Sequence, residues 1–457
     1  MGEHPEMATA SQTLAEFATG LTFEQIPPEV LDRAKTCIID TVAAATFGAG
    51  LPWSKIVIGY AERNSAPGNA LILGTKLRVR APFASLANGA LAHAFEMDSL
   101  CHPSVNVHPG ASLTAPGLAV SQGRKRSGKQ LLTAFVAGYE VMYRIGDAAR
   151  GSSEKIGFHA PGLTGVFGGA VVVGKLFELN AQGMANALGI GGSLCSGLLE
   201  FSKSGGGMVK RLHLGRAAEG GFMAANLAHN GFTGPESVLE GKYGFLSAFC
   251  RDTDPPRLTR ALGEEWHVLK TMLKRYACHI SAHIPVTAAL ELIAEHRFSG
   301  NDVASVTVAG SEKMVSHHNI PDPQDLAMAQ YSTPFCVALA LHRDPLDPRS
   351  FSEENLNDPA IRALARNVKV ELRRGAPGDH ALVSRVAVRL KDGREFAREQ
   401  REFPGMPSRP LSRDELLAKF LKHTAPGDRT KAERLFAQLA EAEKVEDMST
   451  LDFALQS

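Results

Sequence analysis

Side chains that can take part in catalysis are concentrated in residues 93–111, HAFEMDSLCHPSVNVHPGA. The two His-Pro steps in this stretch predict that at least half of it is a loop. Catalytic groups are common on loops that a rigid scaffold holds in place. Asp98 lies here, and His108 is the best histidine candidate because it begins a His-Pro-Gly turn that could project its ring. His93 and His102 fit helix-capping or turn-forming roles equally well.

Two further segments carry candidate residues. His159, in GFHAPG, precedes a long apolar run, so it is either a base or a histidine of the core. SKSGGGMVKRLHLG, residues 202–215, brings Lys210, Arg211 and His213 together behind a run of three glycines. Such a concentration of hydrogen-bond donors suits a ligand rich in carboxylates, and a solvated basic turn is the alternative. The segment lacks the GK[ST] ending of a phosphate-binding loop.

The sequence does not match the common metal, nucleotide or hydrolase motifs. LKRYACHISAH, residues 273–283, holds Lys274 and two histidines four apart, His279 and His283, but isoleucine replaces the glutamate of an HExxH zinc site. Gly189-Ile190-Gly191 resembles the start of a dinucleotide-binding pattern, but Leu194 stands in place of its third glycine. No GxSxG nucleophile elbow is present. We therefore predict no metal and no cofactor.

Composition limits the class of protein further. A chain of 457 residues is too long for one ordinary core, so two domains are expected. Hydrophobic residues make up 44% and charged residues 21%, which is typical of a globular protein. Because 49 Lys and Arg oppose 48 Asp and Glu, the net charge of +1 gives no electrostatic reason to expect a nucleic-acid partner.

The same sequence predicts a cytoplasmic location. Six cysteines are scattered without a CxxC pair, which favours a reducing compartment. The first residues, MGEHPEMATASQ, lack the basic and apolar regions of a secretory signal. Two uncharged stretches, residues 157–174 and 180–199, contain too many polar residues, prolines and glycines to lie in lipid. We expect them to form buried helices and expect no membrane partner.

Helical periodicity dominates the first 265 residues. Pro28 opens one predicted helix, and an apolar stripe with a 3.6-residue period follows it through Ala45. Two other helices are predicted over residues 127–145 and 217–230. The Ala and Gly content of the helix over residues 217–230 suits close contact with other helices.

Strand-like alternation appears after about residue 265. The predicted strands cover residues 303–309, 368–372, 386–390 and 394–396. The last two form a hairpin, because Asp-Gly stands at the turn between them. We therefore expect a mainly α protein with a smaller α+β domain. The expected boundaries are a large all-helical domain over 1–266, a small α+β domain over 267–405, and helices over 406–457 that pack back on the helical domain.

Five segments, taken in chain order, resemble the landmarks of the MmgE/PrpD family. They are HAFEMDSLCHPSVNVHPGA, GFHAPG, MVKRLHLGRAAEGGFMAANLAHNGFTGP, LKRYACH and FPGMPSRPLSRDELLAKF. The resemblance runs nearly end to end, from LAEFATGL at Leu14 onward. The family includes 2-methylcitrate dehydratase, cis-aconitate decarboxylase and iminodisuccinate epimerase. The resemblance implies an MmgE/PrpD-like two-domain architecture, a homodimer, and a site in the cleft between the domains.

The resemblance also implies a set of active-site residues. The implied catalytic residues are Asp98, His108, His159 and Tyr331, and the implied substrate-binding residues are Lys210, Lys274 and His279. Tyr331 lies in MAQYSTPF, which matches the family's tyrosine before a helix of the small domain. One departure concerns residues 96–100, where the usual D-F-D-D-T is E-M-D-S-L. The second acid of the pair and the threonine are lost, so the substrate of a dehydratase or a decarboxylase does not transfer directly.

These residues suit chemistry next to a carboxylate. Removing a proton beside a carboxylate builds negative charge, so the site must hold cations or strong donors in place beforehand. Lys210 and Lys274 can supply that charge without a metal. An imidazole, whose ordinary pKa is about 6.5, suits as the base. We expect His159 or His108 to be the base, and the other, or Tyr331, to supply a proton.

The leading hypothesis from the sequence is a lyase, a hydro-lyase of the 2-methylcitrate dehydratase type that acts on a small di- or tricarboxylic acid. One alternative is an epimerase or isomerase of an amino- or imino-dicarboxylate such as iminodisuccinate. Another is a decarboxylase of an acid like cis-aconitate. A binding protein that kept the scaffold without catalysis is a third possibility of a different class. The three reactions share one arrangement of charge, so the sequence leaves the choice open.

Overall fold

The computed structural model describes residues 8–204 and 207–455. Gly205 and Gly206, in the glycine run before Lys210, lie outside the described residues, as do the two ends of the chain. Packing divides the chain into two compact units. Unit 1 comprises the chain up to Ala94, Asp98–Met272 and the chain from Leu416 onward, and unit 2 comprises Phe95–Met97 and Leu273–Glu415.

The described residues form mostly helices and a few short strands. The helices are α1 (Ala10–Gly20), α2 (Pro28–Gly48), α3 (Pro52–Asn64), α4 (Ala81–Ala92), α5 (Ala115–Arg124), α6 (Gly128–Ala149), α7 (Ala160–Leu176), α8 (Ala181–Gly192), α9 (Phe201–Ser204), α10 (Val209–His229), α11 (Phe245–Phe249), α12 (His283–His296), α13 (Glu312–His317), α14 (Leu326–Tyr331), α15 (Thr333–His342), α16 (Glu353–Leu356), α17 (Pro359–Arg366), α18 (Arg413–Thr424) and α19 (Arg429–Ala440). The strands are β1 (Pro67–Leu71), β2 (Arg78–Val79), β3 (Leu100–Cys101), β4 (Thr271–Met272), β5 (Val303–Gly310), β6 (Val368–Leu372), β7 (Ser384–Leu390) and β8 (Glu395–Gln400). A mainly α fold with a smaller α+β part is thus confirmed.

Two helices of unit 1 begin where the local chemistry predicts, and a third begins earlier. Pro28 is the first residue of α2, and the stripe that follows it is buried. Ser127 caps α6, because its hydroxyl accepts a hydrogen bond from the amide of Gln130. The predicted helix over 217–230 is correct in place but starts too late, since α10 begins at Val209. The basic residues and Gly215 hid the first two turns, which packing against other helices stabilises.

Close packing between helices depends on glycine. Helix α10 packs against α7 and α4, and a Cβ atom on Gly215 would lie 2.4 Å from the carbonyl oxygen of Leu86 in α4. Gly221 is similarly placed against α7, 2.6 Å from the amide nitrogen of Ala170. Only a residue without a side chain allows backbones this close. In the part of the chain that the structure describes, no single helix has the length and apolarity to cross a membrane, although the bent pair α2 and α3 satisfies both criteria together.

Two short antiparallel ladders and the C-terminal helices complete unit 1. Strands β1 and β2 pair with each other, and Leu100 of β3 pairs with Met272 of β4. The sequence did not predict these four strands, because β1 contains proline and glycine, which are uncommon in strands, and the other three span only two residues each. Helix α19 packs against α2, and Lys419 of α18 forms a buried ion pair with Asp40 of α2.

Unit 2 is built on a four-stranded sheet in the order β6-β5-β7-β8. Strand β5 runs parallel to β6 and antiparallel to β7. The predicted hairpin is confirmed as β7 and β8, where Gly393 has a φ of 91° and the amide of Leu390 donates to the carbonyl of Arg394 at 2.8 Å. Helix α12 packs against β7 and β8.

The crossing of α10 with α4 predicts a large difference between two glycine variants. Gly215→Ala places a methyl group against backbone that cannot move independently, so we expect a loss of about 1–3 kcal/mol in the free energy of unfolding. Gly123→Ala, near the end of α5, meets nothing within 4 Å and should instead stabilise the helix by up to about 1 kcal/mol. Urea unfolding followed by circular dichroism measures both. Equal effects would contradict the close packing.

Candidate active site

Asp98 lies at the centre of a buried cluster of imidazoles in unit 1. Its carboxylate is fully buried, and one oxygen, Oδ2, accepts hydrogen bonds from Nδ1 of His93 and Nδ1 of His108, each at 2.7 Å. The two rings stand edge to face, with centroids 4.9 Å apart. A nitrogen this close to a carboxylate oxygen carries a hydrogen. Both rings therefore donate through Nδ1, which leaves Nε2 as the atom available for proton transfer.

Local backbone contacts fix the two histidines beside Asp98. His93 is the C-cap of α4. His108 and Pro109 lead into a π-helical turn, Gly110–Thr114, that runs directly into α5. The amide of Gly110 donates to Ser99 Oγ at 3.1 Å, and a Cβ atom at this position would lie 2.2 Å from the Thr41 hydroxyl. Glycine is thus required at the third position of the His-Pro-Gly turn.

A second pair of histidines packs near the first. Nδ1 of His159 and Nδ1 of His213 lie 3.0 Å apart, so one of these nitrogens donates a hydrogen and the other accepts it. His159 is the N-cap of α7, and its amide donates to the carbonyl of Gly197 at 3.0 Å. The ring of Phe201 meets both imidazoles edge on. The His159 centroid is 6.0 Å from that of His93, so the imidazoles form one continuous group.

Lys210 supplies the positive charge of this group. It lies in the first turn of α10, and only 8% of its surface is exposed. Burial lowers the pKa of His159 well below its usual value, and the charges of His93 and Lys210 lower it further. Burial, helped by Lys210, also lowers the pKa of His213. These two imidazoles are therefore neutral at pH 7.

For Asp98, in contrast to the histidines, neighbouring groups and not burial decide the direction of the pKa shift. Burial alone would raise its pKa, but the charges and hydrogen bonds of His93 and His108 outweigh burial and hold the pKa well below its usual value. Burial lowers the pKa of His93 to about 4, although Asp98 opposes that shift. An ionised Asp98 thus accepts from a neutral His93.

The nitrogen and oxygen atoms of His93, Asp98 and His108 that could bind a metal lie within 4.8 Å of one another, which is close enough for a shared ion. Their geometry instead suits hydrogen bonds, because a metal would replace the Nδ1 hydrogens that reach the one carboxylate oxygen. We assign no metal to these side chains. Among the described residues, His279 and His283 belong to no such group.

Unit 2 contains a second polar cluster, around Glu96. Nζ of Lys274 lies 2.7 Å from Glu96 Oε2, and the Tyr331 hydroxyl donates to Glu96 Oε1 at 3.2 Å. The side chains of Lys274 and Glu96 are almost completely buried. His279 stacks on His318 with centroids 4.1 Å apart. Its ring also lies 5.0 Å from that of Tyr331.

Gln330 holds the segments that carry this second cluster. Its side-chain amide donates to the carbonyl of Phe95 at 3.0 Å and to that of Ala277 at 2.9 Å. The backbone carbonyl of Gln330 accepts a hydrogen bond from the backbone amide of His279 at 2.8 Å. Glu96 has a φ of 55°, a left-handed conformation that is unfavourable for glutamate and that its neighbours must stabilise. The position of the Glu96 carboxylate is therefore imposed by the fold.

Comparison with protein families agrees with this architecture. The model of the MmgE/PrpD N-terminal domain matches residues 12–258, and that of the MmgE/PrpD C-terminal domain matches residues 276–443. The chain belongs to the MmgE/PrpD family. It is 31% identical to a cis-aconitate decarboxylase of Aspergillus terreus over 433 residues, which cover 89% of this chain and 87% of the relative. It is 28% identical to the cis-aconitate decarboxylase of Homo sapiens, over 91% of this chain and 87% of that protein. It is 26% identical to the cis-aconitate decarboxylase of Mus musculus, over 97% of this chain and 93% of that protein.

The residues that the MmgE/PrpD resemblance implies fall into two groups in the structure. Unit 1 brings together Asp98, His108, His159 and Lys210, and unit 2 brings together Lys274, His279 and Tyr331. The roles of these seven side chains in catalysis stay predictions. Arg211, which the sequence placed beside Lys210 as a further donor, instead donates to the carbonyl of Ala94 and lies over the ring of Trp53. Consecutive helical residues do not share a face.

The sequence analysis named His93 and His213 but did not select them as catalytic residues. The five-residue separation of His93 from Asp98 across the end of a helix, and the position of His213 one turn after Lys210, are signals in favour of both. No local signal pointed to His318 or to the pairing of Glu96 with Lys274. The departure from the usual family motif has a structural use, because Ser99, where the second acid is lost, accepts from the amide of Gly110.

The lowered pKa of His93 predicts loss of stability in acid. The unfolded histidine binds its proton near pH 6.5, whereas the folded one does so near pH 4, so between these values the unfolded state holds more protons. The free energy of unfolding should therefore decrease as the pH falls from 6.5 to 4, by about 3 kcal/mol from this residue. Urea unfolding at several pH values measures the slope.

Two variants separate this contribution from that of other histidines. His93→Asn should show a shallower decrease than the parent protein, because the titrating group is gone. His229→Asn, an exposed position at the end of α10, should keep the parent slope. If His93→Asn kept the parent slope as well, the imidazole of His93 would not be held neutral by the fold.

Proposed function

We propose that this protein is a lyase that removes CO2 from a small unsaturated tricarboxylic acid of the cis-aconitate type. The observation that carries the proposal is the similarity, over most of both chains, to relatives named cis-aconitate decarboxylase. The sequence alone favoured dehydration, and that reaction becomes the second candidate. The buried cluster of unit 1 supplies groups suited to decarboxylation.

Decarboxylation needs fixed positive charge and a proton donor. The bond between carbon and the departing carboxylate breaks, CO2 leaves, and the electron pair stays on the carbon and spreads toward a neighbouring carboxylate. Lys210, which is almost completely buried, stabilises that developing charge better than a solvated lysine would. A proton must then reach the carbon.

His108 is the proton donor in this proposal. Its Nδ1 donates to the ionised Asp98, which stabilises the protonated ring as a buried aspartate does for other catalytic histidines. Its side chain is 17% exposed, whereas that of His93 is fully buried, so Nε2 of His108 is the more accessible nitrogen. After the transfer His108 is neutral and regains its proton from solvent.

The cluster of unit 2 has a supporting role in the proposal. Lys274 and His279 bind carboxylates of the substrate, and Tyr331 is an alternative proton donor. The charge of Lys274 is balanced by Glu96, so a substrate carboxylate must compete with Glu96 for the ammonium group. We therefore assign the larger share of charge stabilisation to Lys210.

Dehydration of a hydroxy acid is the second candidate, because of His159. Burial and neighbouring positive charge keep this imidazole neutral, which a base that removes a proton requires and a decarboxylase does not. The same property would serve an epimerase of an amino- or imino-dicarboxylate. In each case His159 takes the proton and His108 supplies one.

Variants of the two principal groups test the site assignment. Lys210→Met and His108→Gln should each lower kcat/KM for the acid substrate by about 100-fold or more, because each removes charge stabilisation or proton transfer. Both should keep the circular dichroism spectrum of the parent. Lys129→Met, an exposed lysine in the first turn of α6, is the matched control and should retain full activity. Full activity in both site variants would remove Lys210 and His108 from the mechanism.

Product analysis in D2O distinguishes the reactions. With cis-aconitate, decarboxylation releases CO2 and gives a five-carbon dicarboxylic acid with one deuterium on carbon, detected by proton NMR. Dehydration of a citrate-like acid gives a new double bond without CO2, and epimerisation exchanges an α-hydrogen without a net change of compound. We expect the first outcome, unchanged by EDTA. Turnover of hydroxy acids alone would favour the dehydratase, and activity that EDTA abolishes and a divalent ion restores would contradict a metal-free site.

A further inference from the structure

His93 has an unusual position in the buried cluster of unit 1. Its side chain is completely buried, and its Nε2 atom finds no hydrogen-bond partner among the residues that the structure describes. Its Nδ1 donates to Asp98 Oδ2, the same oxygen that accepts from His108. The buried, neutral ring of His93 and the ring of His108, which we assign to proton transfer, therefore donate to the same oxygen of Asp98.

Sharing an acceptor changes what a carboxylate does to its partner. An ionised carboxylate beside an imidazole favours the protonated form of that ring, and a second hydrogen bond to the same oxygen draws off part of the negative charge. An aspartate that accepted from His108 alone would hold a proton there more firmly. A proton donor must also release its proton, so a carboxylate that is too basic hinders the reaction.

We propose that His93 is a positioning residue that limits how firmly Asp98 holds a proton on His108. The proposal rests on the proposed function, in which His108 gives its proton to the substrate. His93 acts through Asp98 and does not itself touch the reacting atoms.

The surroundings keep His93 in the role of a neutral donor. The charged and titratable groups that act on it are Asp98, Lys210 and His108, and His159 lies beyond its ring. Burial and the charge of Lys210 favour the uncharged ring, and only Asp98 opposes them. His93 therefore does not exchange roles with the more exposed His108.

Packing of the ring is the competing explanation, since His93 and His108 meet edge to face at 4.9 Å. Two reciprocal variants separate these roles. His93→Phe keeps an aromatic ring and removes the N–H group. His93→Asn removes the ring and keeps an N–H donor at the same number of bonds from the backbone as Nδ1.

The readout is the titration of His108, followed by NMR of its ring Cε1 proton, which is assigned by its disappearance in His108→Gln. In His93→Phe we expect the midpoint to rise by about half to one pH unit, because Asp98 then serves His108 alone. In His93→Asn the midpoint should stay within about 0.2 pH units of the parent, since the donor is retained. The pH profile of kcat/KM should move in the same direction in the Phe variant.

Each other outcome overturns the proposal. A midpoint that moves in the Asn variant but not in the Phe variant assigns the effect to ring packing. Unmoved midpoints in both, with lower melting temperatures, leave His93 only a structural role. If His93→Phe does not fold, His93→Leu serves as the variant without a donor. The NMR titration needs no substrate, so a shifted midpoint with no turnover of any acid refutes the proposed function alone, and turnover with an unmoved midpoint refutes this inference alone.

Discussion

The buried negative charge of Asp98 is the constraint on which unit 1 depends. An ionised carboxylate without exposure to water is strongly unfavourable unless hydrogen-bond donors and positive charge compensate for it. Nδ1 atoms of His93 and His108 provide the donors, and Lys210 adds positive charge to the same group of side chains. The tautomers of both histidines follow from this one requirement. Because Nδ1 of His108 is used to compensate the buried charge of Asp98, Nε2 is the ring nitrogen left for proton transfer.

Much of the surrounding backbone holds this carboxylate in place. Strand β3 begins two residues after Asp98 and pairs with β4, and the segment just before β4 contacts Glu140 of α6. That buried glutamate accepts from the amide of Val268 at 3.0 Å and contacts His267 and Arg144. This ionic network of Glu140, Arg144 and His267 thus lies next to the ladder that follows Asp98 in the chain. Removing one member of such a network lowers the free energy of unfolding by more than the network contributes to it, because the remaining charge is left buried and unpaired.

The sequence predicted elements better than it predicted the contacts of side chains. Helices with clear caps, such as that opened by Pro28, and strands with clear alternation were found, whereas the start of α10 was hidden by glycine and charge. The candidate residues came from residue types in the sequence and from family motifs, and neither of these shows which side chains will be partners. Neither the sharing of Asp98 by two histidines nor the pairing of Glu96 with Lys274 is local in sequence. Such pairs depend on how distant segments fold together, which periodicity does not encode.

Nitrogen NMR of the protein labelled with ¹⁵N-histidine measures whether His93 and His108 both donate to Asp98 through Nδ1, because nitrogen shifts report which ring atom carries a hydrogen. Near pH 7.5 we expect His93 to be neutral with its hydrogen on Nδ1, and His108 to carry a hydrogen on Nδ1 in both of its charge states. Both Nδ1 signals should change in Asp98→Asn. If both rings were neutral with the hydrogen on Nε2, their Nδ1 lone pairs would face the carboxylate. That result would contradict hydrogen bonds from both Nδ1 atoms to Asp98.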